Sequence, residues 1–158
     1  MTRTHARSAR GQRAVCTKAK VERENITLAG LLGPDGIKSL YPYAGSFDGE
    51  RYLSHLENHL LPCLTAGDFV VMDNLRMHHI PAAKKMFHDA EIELIFLPPY
   101  SPEYNPIEEA WSLIKSVLKK NETKNISQYI DALNEARNSL TAEKTRGFYQ
   151  HAGYTLPN

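Results

Sequence analysis

The sequence predicts an α/β fold with parallel strands, and three observations support this prediction. Two short apolar runs, Phe69–Met72 and Ile92–Leu97, are bounded by polar or turn-forming residues, as is typical of strands buried on both faces. A helix-compatible segment over 82–90 lies between them, and further helical patterns follow the second run. Because a strand–helix–strand unit returns the chain to the same end of a sheet, we expect the two runs to pair in parallel.

The segment before these strands predicts a β-hairpin and then a helix. Residues 25–43 are apolar and extended in pattern on both sides of the turn sequence Pro34-Asp35-Gly36. Apolar residues then recur at helical spacing over 49–64, with Ser46 or Asp48 as the candidate N-cap.

Three helical patterns complete the chain. The first opens at Asn105-Pro106 and extends to about Lys120, and the others cover 126–140 and 142–151. Side chains of the first helix that are expected to face the core are Trp111, Ile114 and Leu118. The neighbouring Glu109 points away from Glu108 and is expected to be solvated.

Length and composition indicate one cytoplasmic domain. The chain has 158 residues, enough to bury a core without disulfides, and its two cysteines, Cys16 and Cys63, form no metal-binding motif. No apolar run approaches the roughly 18 residues of a membrane span. Residues 1–20 hold six basic residues and no acid, whereas the rest holds 13 basic and 18 acidic residues, a formal charge of −5. Such a basic segment suggests contact with a polyanion.

Two carboxylates are spaced to meet at one end of the predicted sheet. Asp73 directly follows the first buried strand, and Glu108 begins the helix after the second, with 34 residues between them. A strand–helix–strand unit takes about 30 residues, so both acids can reach the same crevice. Converging carboxylates favour Mg²⁺ or Mn²⁺ over zinc.

Each of these residues also has a structural explanation. Asn105 and Glu108 flank a good helix start, as an N-cap and an acid in the first turn. Asp73 followed by Asn74 is ordinary turn chemistry, and His78 is equally compatible with a plain loop.

In combination the motifs are more specific. Met72-Asp73-Asn74 followed by His78, and then the string LPPYSPEYNPIE at 97–108 followed by Trp111 and Lys115, resemble the DDE transposases of the mariner superfamily, in particular the bacterial insertion sequence 630 group. The resemblance extends from the basic N-terminal segment to the C-terminal helices. It implies an RNase H-like fold, a mixed sheet flanked by helices.

The resemblance also implies a mechanism and roles for individual residues. Asp73 and Glu108 would be the second and third of three catalytic acids that hold two Mg²⁺ or Mn²⁺ ions. DNA would be the partner: the protein would cleave it at the transposon ends and join those ends to a TA target. It would act as a homo-oligomer or together with a partner transposase chain. The resemblance also implies a bacterial protein of the cytoplasm that is associated with the nucleoid when it is bound to DNA. Candidate DNA contacts are Lys115, Lys119 and Arg76, and candidate supporting residues are Asn74, His78 and Asn105.

Lys115 and Lys119 follow Glu108 at positions i+7 and i+11 of the helix, and lysines are also common near helix ends because they offset the dipole.

The first catalytic acid of this family has no counterpart in the sequence. The aspartates upstream of Asp73 are Asp35 in the hairpin turn, Asp48 at a helix start, and Asp68 before the buried strand. The resemblance therefore predicts that residues 1–158 form a partial catalytic domain without its first central strand. Its ends would be a basic loop at 1–23 and a C-terminal helix and tail at 142–158.

Two consequences follow from such a partial domain. The hairpin and the strand at 69–72 lose their shared neighbour, which leaves backbone groups unpaired and the fold marginal. With two acids the chain is expected to be inactive alone. The alternatives are a non-catalytic partner or inhibitor of a full-length transposase, or a decayed pseudogene product. Another RNase H-like nuclease, such as a junction resolvase, fits the string at 97–108 less well.

Overall fold

The computed structural model describes residues 26–121 and 125–156. The basic segment predicted at 1–23 and the last two residues of the predicted tail lie outside the described residues. The predicted hairpin is confirmed: β1 (Ile26–Gly33) pairs antiparallel with β2 (Gly36–Ala44), with a register shift between Leu31 and Leu32.

The two apolar runs form a parallel pair, as predicted, but the expectation that both faces are buried is wrong, since Phe69 is 64% exposed and Ile95 is 42% exposed. In β3 (Phe69–Met72) and β4 (Glu93–Phe96), Phe69 lies opposite Glu93 and Met72 opposite Phe96. Helix α2 (Pro81–Asp89) makes the crossover, and Pro81 occupies its first position, where a missing N–H costs nothing. The described strands thus form two separate two-stranded sheets.

The helix predicted over 49–64 is confirmed in extent but is irregular. Helix α1 (Gly49–His55) continues as a π-helical turn at Leu56–Leu60 and a 3₁₀ turn at Leu61–Cys63. Pro62 explains the change, because its ring clashes with the preceding turn and it has no N–H to donate. Asp48 is the N-cap, and its side chain accepts a hydrogen bond from the Arg51 N–H at 3.0 Å.

The three C-terminal helices are also confirmed, as α3 (Ile107–Lys120), α4 (Ile126–Ser139) and α5 (Ala142–His151). Within the described ranges, no helix combines the length and apolar character needed to cross a bilayer.

Two apolar clusters hold the fold together. The first joins the hairpin to α3 and α4 around the fully buried Ile114, with Trp111 and Leu118 packed partly buried against it, as the periodicity predicts. The second joins α1, β3 and α2 around Leu56 and Phe87. These buried side chains remove the largest apolar surfaces from water, which is the main stabilising contribution to the fold.

Helix α5 is fastened to the rest of the first cluster by polar contacts. The buried Thr145 hydroxyl donates to the Pro34 carbonyl at 2.7 Å, and the Tyr149 hydroxyl donates to the Leu32 carbonyl at 2.9 Å. The Glu109 side chain is 41% exposed, in keeping with the expectation that it is solvated, and its Oε1 also contacts Nδ1 of His151, which links α3 to α5.

Candidate active site

Asp73 lies directly after β3 and is held by its own loop. One carboxylate oxygen, Oδ1, accepts a hydrogen bond from the Leu75 N–H at 3.1 Å and lies 2.9 Å from His78 Nδ1. The Asp73 side chain is 45% exposed, whereas that of His78 is 19% exposed. The protein therefore orients the carboxylate while the side chain remains partly accessible to solvent.

Asn74 connects the ends of the two parallel strands. Its amide nitrogen donates to the Leu97 carbonyl just beyond β4, and its Oδ1 lies 3.1 Å from His79 Nε2. The His79 ring in turn stacks on Phe96 at 4.3 Å. Asn74 and His79 therefore fix the end of the sheet from which Asp73 projects.

Tyr52 is a site residue that sequence reasoning missed, because its helical spacing marked it only as an apolar position. Its buried ring lies 5.4 Å from the His78 ring, and its hydroxyl contacts Met72 Sδ at 3.8 Å. Burial, and then the negative charge of Asp73, raise the pKa of Tyr52. The phenol therefore stays neutral and adds no negative charge beside the carboxylate. Only the three-dimensional packing of α1 against β3 reveals it.

Glu108 begins α3, but the predicted capping arrangement is wrong. No side chain caps this helix. Instead a 3₁₀ turn at Pro102–Tyr104 leads into an extended Asn105, whose backbone carbonyl accepts the Glu108 N–H at 3.0 Å. Among the described residues the Asn105 side chain makes no hydrogen bond to an N–H of this helix, so it does not act as the N-cap. Glu108 is exposed in the first turn, where its charge is favoured by the helix dipole.

Asp73 and Glu108 line one cavity. This cavity measures about 940 Å³, and Asn105 and His78 are also among its lining residues. Because the strand–helix–strand unit returns the chain to the same end of the parallel pair, two acids that are distant in sequence line the same cavity. Both carboxylates have solvent access, and among the described residues no lysine or arginine forms an ion pair with either.

These groups fit a divalent cation in part. Mg²⁺ is commonly bound by one or two carboxylates together with water and substrate phosphates. Asp73 and Glu108 supply two carboxylates, and the Asn105 amide is a further oxygen donor on the same cavity. Among residues 26–121 and 125–156, no group of three or more His, Cys, Asp or Glu side chains is placed to hold a metal.

The three upstream aspartates have other roles in the structure. Asp35 pairs with Arg146 at 3.4 Å, and Asp48 caps α1. Asp68 reaches the same cavity from the opposite end of β3, and its carboxylate accepts the Thr65 N–H at 2.8 Å. None is held beside Asp73.

The candidate DNA contacts are exposed. Lys115 and Lys119 lie on the solvent side of α3, and Arg76 begins the 3₁₀ turn at Arg76–His79 that follows Asp73. Their cationic groups are free to meet a phosphate chain, although their part in binding remains a prediction.

The described residues thus form a parallel β–α–β unit with one acid after its first strand and another in the first turn of the helix after its second. The chain belongs to the DDE superfamily endonuclease family, whose model matches residues 1–130.

Solved structures agree with this fold. The Mos1 mariner paired-end complex with Mn aligns with a TM-score of 0.74 at 15% identity, covering 94% of this chain and 47% of that one. The Mos1 strand transfer complex aligns with a TM-score of 0.74 at 15% identity, covering 98% and 51%. The chain thus spans about half the length of these proteins. No curated protein matches it. The mixed α/β, RNase H-like fold class predicted from the sequence is confirmed.

Proposed function

We propose that this domain serves metal-dependent DNA strand cleavage and strand transfer in the transposition of an insertion sequence of the 630 group. One observation carries the proposal: Asp73 and Glu108, on consecutive units of a DDE-family domain, line one cavity. The similarity to the Mos1 paired-end and strand transfer complexes supports DNA as the partner. Transposon ends and a TA target are the proposed substrates, and a homo-oligomer or a complex with a partner transposase chain is the proposed working form.

Asp73 and Glu108 are the proposed ligands of Mg²⁺ or Mn²⁺. When bound, the metal supplies charge stabilisation at the attacking and leaving oxygens of a phosphodiester. The protein's own contribution is positional. His78 holds the Asp73 carboxylate from its inner side, and Asn74 fixes the strand end that carries it.

The cationic side chains Lys115, Lys119 and Arg76 are proposed to contact the phosphate backbone. A phosphate contact positions the duplex without reading its base sequence. Their loss should therefore weaken binding to all DNA sequences alike, and more so at low salt.

A second candidate function is favoured by the number of acids. Among the described residues no third carboxylate is held beside Asp73, and no group of three or more His, Cys, Asp or Glu side chains is placed to hold a metal ion. We therefore propose that the chain alone does not complete strand transfer and that it acts as an interaction partner of a transposase. Nicking of supercoiled plasmid by the purified chain with Mn²⁺, abolished in Asp73→Ala, would overturn that second proposal.

Calorimetric titration with Mn²⁺ tests the metal site. The native chain should bind, and Asp73→Asn and Glu108→Gln should each weaken binding by at least tenfold. Glu109→Gln is the matched control, because Glu109 is the next residue on the same helix and pairs with His151 instead. Equal binding by all four proteins would refute the assignment of Asp73 and Glu108.

A further inference from the structure

The end of helix α5 turns the chain back toward the candidate active site. Gly153 follows the helix with a φ of +90°, in the left-handed region that glycine adopts without a steric cost. Its N–H donates to the Gln150 carbonyl at 3.0 Å, and the next N–H, that of Tyr154, donates to the Tyr149 carbonyl at 2.9 Å. These two bonds form a Schellman motif, which satisfies carbonyls that a helix end would otherwise leave unpaired.

The Schellman motif also fixes the Tyr154 side chain. Its ring lies 5.8 Å from the Tyr149 ring in an edge-to-face arrangement, which is the contact that commonly accompanies this motif. The Tyr149 ring is itself held, because its hydroxyl donates to the Leu32 carbonyl at 2.9 Å. Burial raises the pKa of Tyr154, so its phenol stays protonated at neutral pH and can donate a hydrogen bond.

The Tyr154 hydroxyl bonds to the turn that leads into Glu108. It donates to the Tyr104 carbonyl at 2.9 Å, across 50 positions of sequence. The N–H of the same peptide bond, which belongs to Asn105, donates to the Pro102 carbonyl at 3.0 Å. Both polar groups of the peptide between Tyr104 and Asn105 are therefore bonded. Because a peptide bond is planar, these two hydrogen bonds together fix its orientation.

The orientation of this peptide is passed to Glu108 through the backbone. The Asn105 carbonyl accepts the Glu108 N–H at 3.0 Å, and among the described residues no side chain caps α3. The start of α3 therefore depends on the backbone of Asn105 in place of the usual capping side chain. Tyr154 and Glu108 also line the same cavity, so the bond lies at the candidate site.

A second contact joins α5 to α3, but it lies in solvent. His151 Nδ1 contacts Glu109 Oε1, and the two side chains are 81% and 41% exposed. Exposed ion pairs contribute little, because water and salt screen the charges and both side chains lose conformational freedom. Among the described residues, the Tyr154 hydroxyl is thus the group after α5 that bonds to the turn before Glu108.

We propose that Tyr154 is a positioning residue for Glu108, and that its hydroxyl holds the turn at 102–105 in the backbone arrangement that places Glu108 at the cation site. This inference rests on the metal site proposed above. Without the hydroxyl the turn gains conformational freedom, which binding of the ion must remove again. Loss of one hydrogen bond changes an equilibrium constant by about two- to tenfold, and Tyr154→Phe should weaken Mn²⁺ binding by that factor.

Calorimetric titration with Mn²⁺, and amide hydrogen exchange measured without metal, test the proposal on the full chain. Tyr149→Phe is the matched control, because it also removes a phenol hydroxyl that donates to a backbone carbonyl at 2.9 Å, but in the hairpin. We expect Tyr154→Phe to bind Mn²⁺ more weakly and to exchange faster at the Asn105 and Glu108 amides. Tyr149→Phe should match the native chain in both measurements, even where thermal unfolding shows an equal loss of stability.

Unchanged exchange at Glu108 in Tyr154→Phe would overturn the proposal. So would a native Mn²⁺ affinity in Tyr154→Phe, or an equal loss of affinity in Tyr149→Phe, since a general loosening of α5 would then explain the result. Failure of the native chain to bind Mn²⁺ would refute the metal site instead, and exchange at Glu108 would still decide whether Tyr154 holds the turn.

Discussion

The imidazole of His78 lies 2.9 Å from one oxygen of the Asp73 carboxylate and 3.2 Å from the Asp73 carbonyl. This relationship is local in sequence, since the 3₁₀ turn at Arg76–His79 folds the chain back onto the end of β3. The Asp73 side chain nevertheless remains 45% exposed. The pair explains how an aspartate in a loop acquires a fixed orientation.

Replacing His78 by alanine should weaken Mn²⁺ binding without unfolding the domain. Mutation of a residue that orients a metal ligand typically lowers metal affinity by about 10–100-fold. Without His78, the Asp73 side chain must lose conformational freedom when the ion binds. Calorimetric titration measures the effect. His88→Ala is the control, because His88 is 90% exposed and distant from Asp73 in the chain. Unchanged affinity in His78→Ala would show that His78 does not position the carboxylate.

The buried His55 should make stability depend on pH. Burial, and then the neighbouring His59, lower the pKa of His55 to about 4 from 6.5. Between these values the unfolded chain binds the proton and the folded chain does not. Stability is therefore full above about pH 6.5 and falls as the pH drops toward 4, by at most about 1.4 kcal/mol per pH unit.

Urea unfolding of the native chain and of His55→Gln, measured from pH 7.5 to 4.5, checks this expectation. The variant removes the titrating group, so its stability should decline less steeply, even if it is lower at pH 7.5. The control His88→Gln should follow the native profile, since His88 is exposed. Parallel profiles for the native chain and His55→Gln would contradict the prediction.

Thr145→Val should destabilise the domain by about 1–3 kcal/mol, because it leaves the Pro34 carbonyl without its 2.7 Å hydrogen bond in a buried site. Thermal unfolding measures the change. Thr155→Val, at an exposed position, should have an effect near zero. An equal effect of the two substitutions would mean that the bond between α5 and the hairpin turn contributes nothing.

Two glycines should respond in opposite directions to alanine. A Cβ at Gly30 would lie 2.8 Å from the Ser39 carbonyl oxygen and 3.1 Å from the Trp111 ring, so Gly30→Ala should cost about 1–3 kcal/mol through overpacking. Gly147 lies within α5 with open space around it, and Gly147→Ala should stabilise the helix by about 0.8–1 kcal/mol. Denaturant unfolding of both variants measures the change in the free energy of unfolding. Changes of the same sign in the two variants would contradict the prediction.

The elements were predictable because local signals agree with the tertiary structure. The turn at Pro34-Asp35-Gly36, the apolar run at Phe69–Met72 and the helical spacing of α3 each indicate one conformation. The irregular end of α1 was harder to foresee, because Pro62 breaks a pattern whose apolar spacing continues.

The candidate site was predictable in part. Asp73 and Glu108 stand out because both follow strand ends at a suitable spacing. Tyr52 does not, because its contact with His78 depends on how α1 packs on β3. The contact between Glu109 and His151 is likewise invisible in sequence, since 42 positions separate them and no short motif joins them.

The central claim is that Asp73 and Glu108 hold one divalent cation together. Paramagnetic broadening of the amide NMR spectrum by substoichiometric Mn²⁺ tests it most directly, because the effect decays steeply with distance from the ion. We expect the amides of residues 73–75 and of 105, 107 and 108 to broaden first, and Asp73→Asn or Glu108→Gln to suppress the broadening of both segments together. Broadening centred elsewhere, or broadening of one segment that survives loss of the other acid, would contradict it.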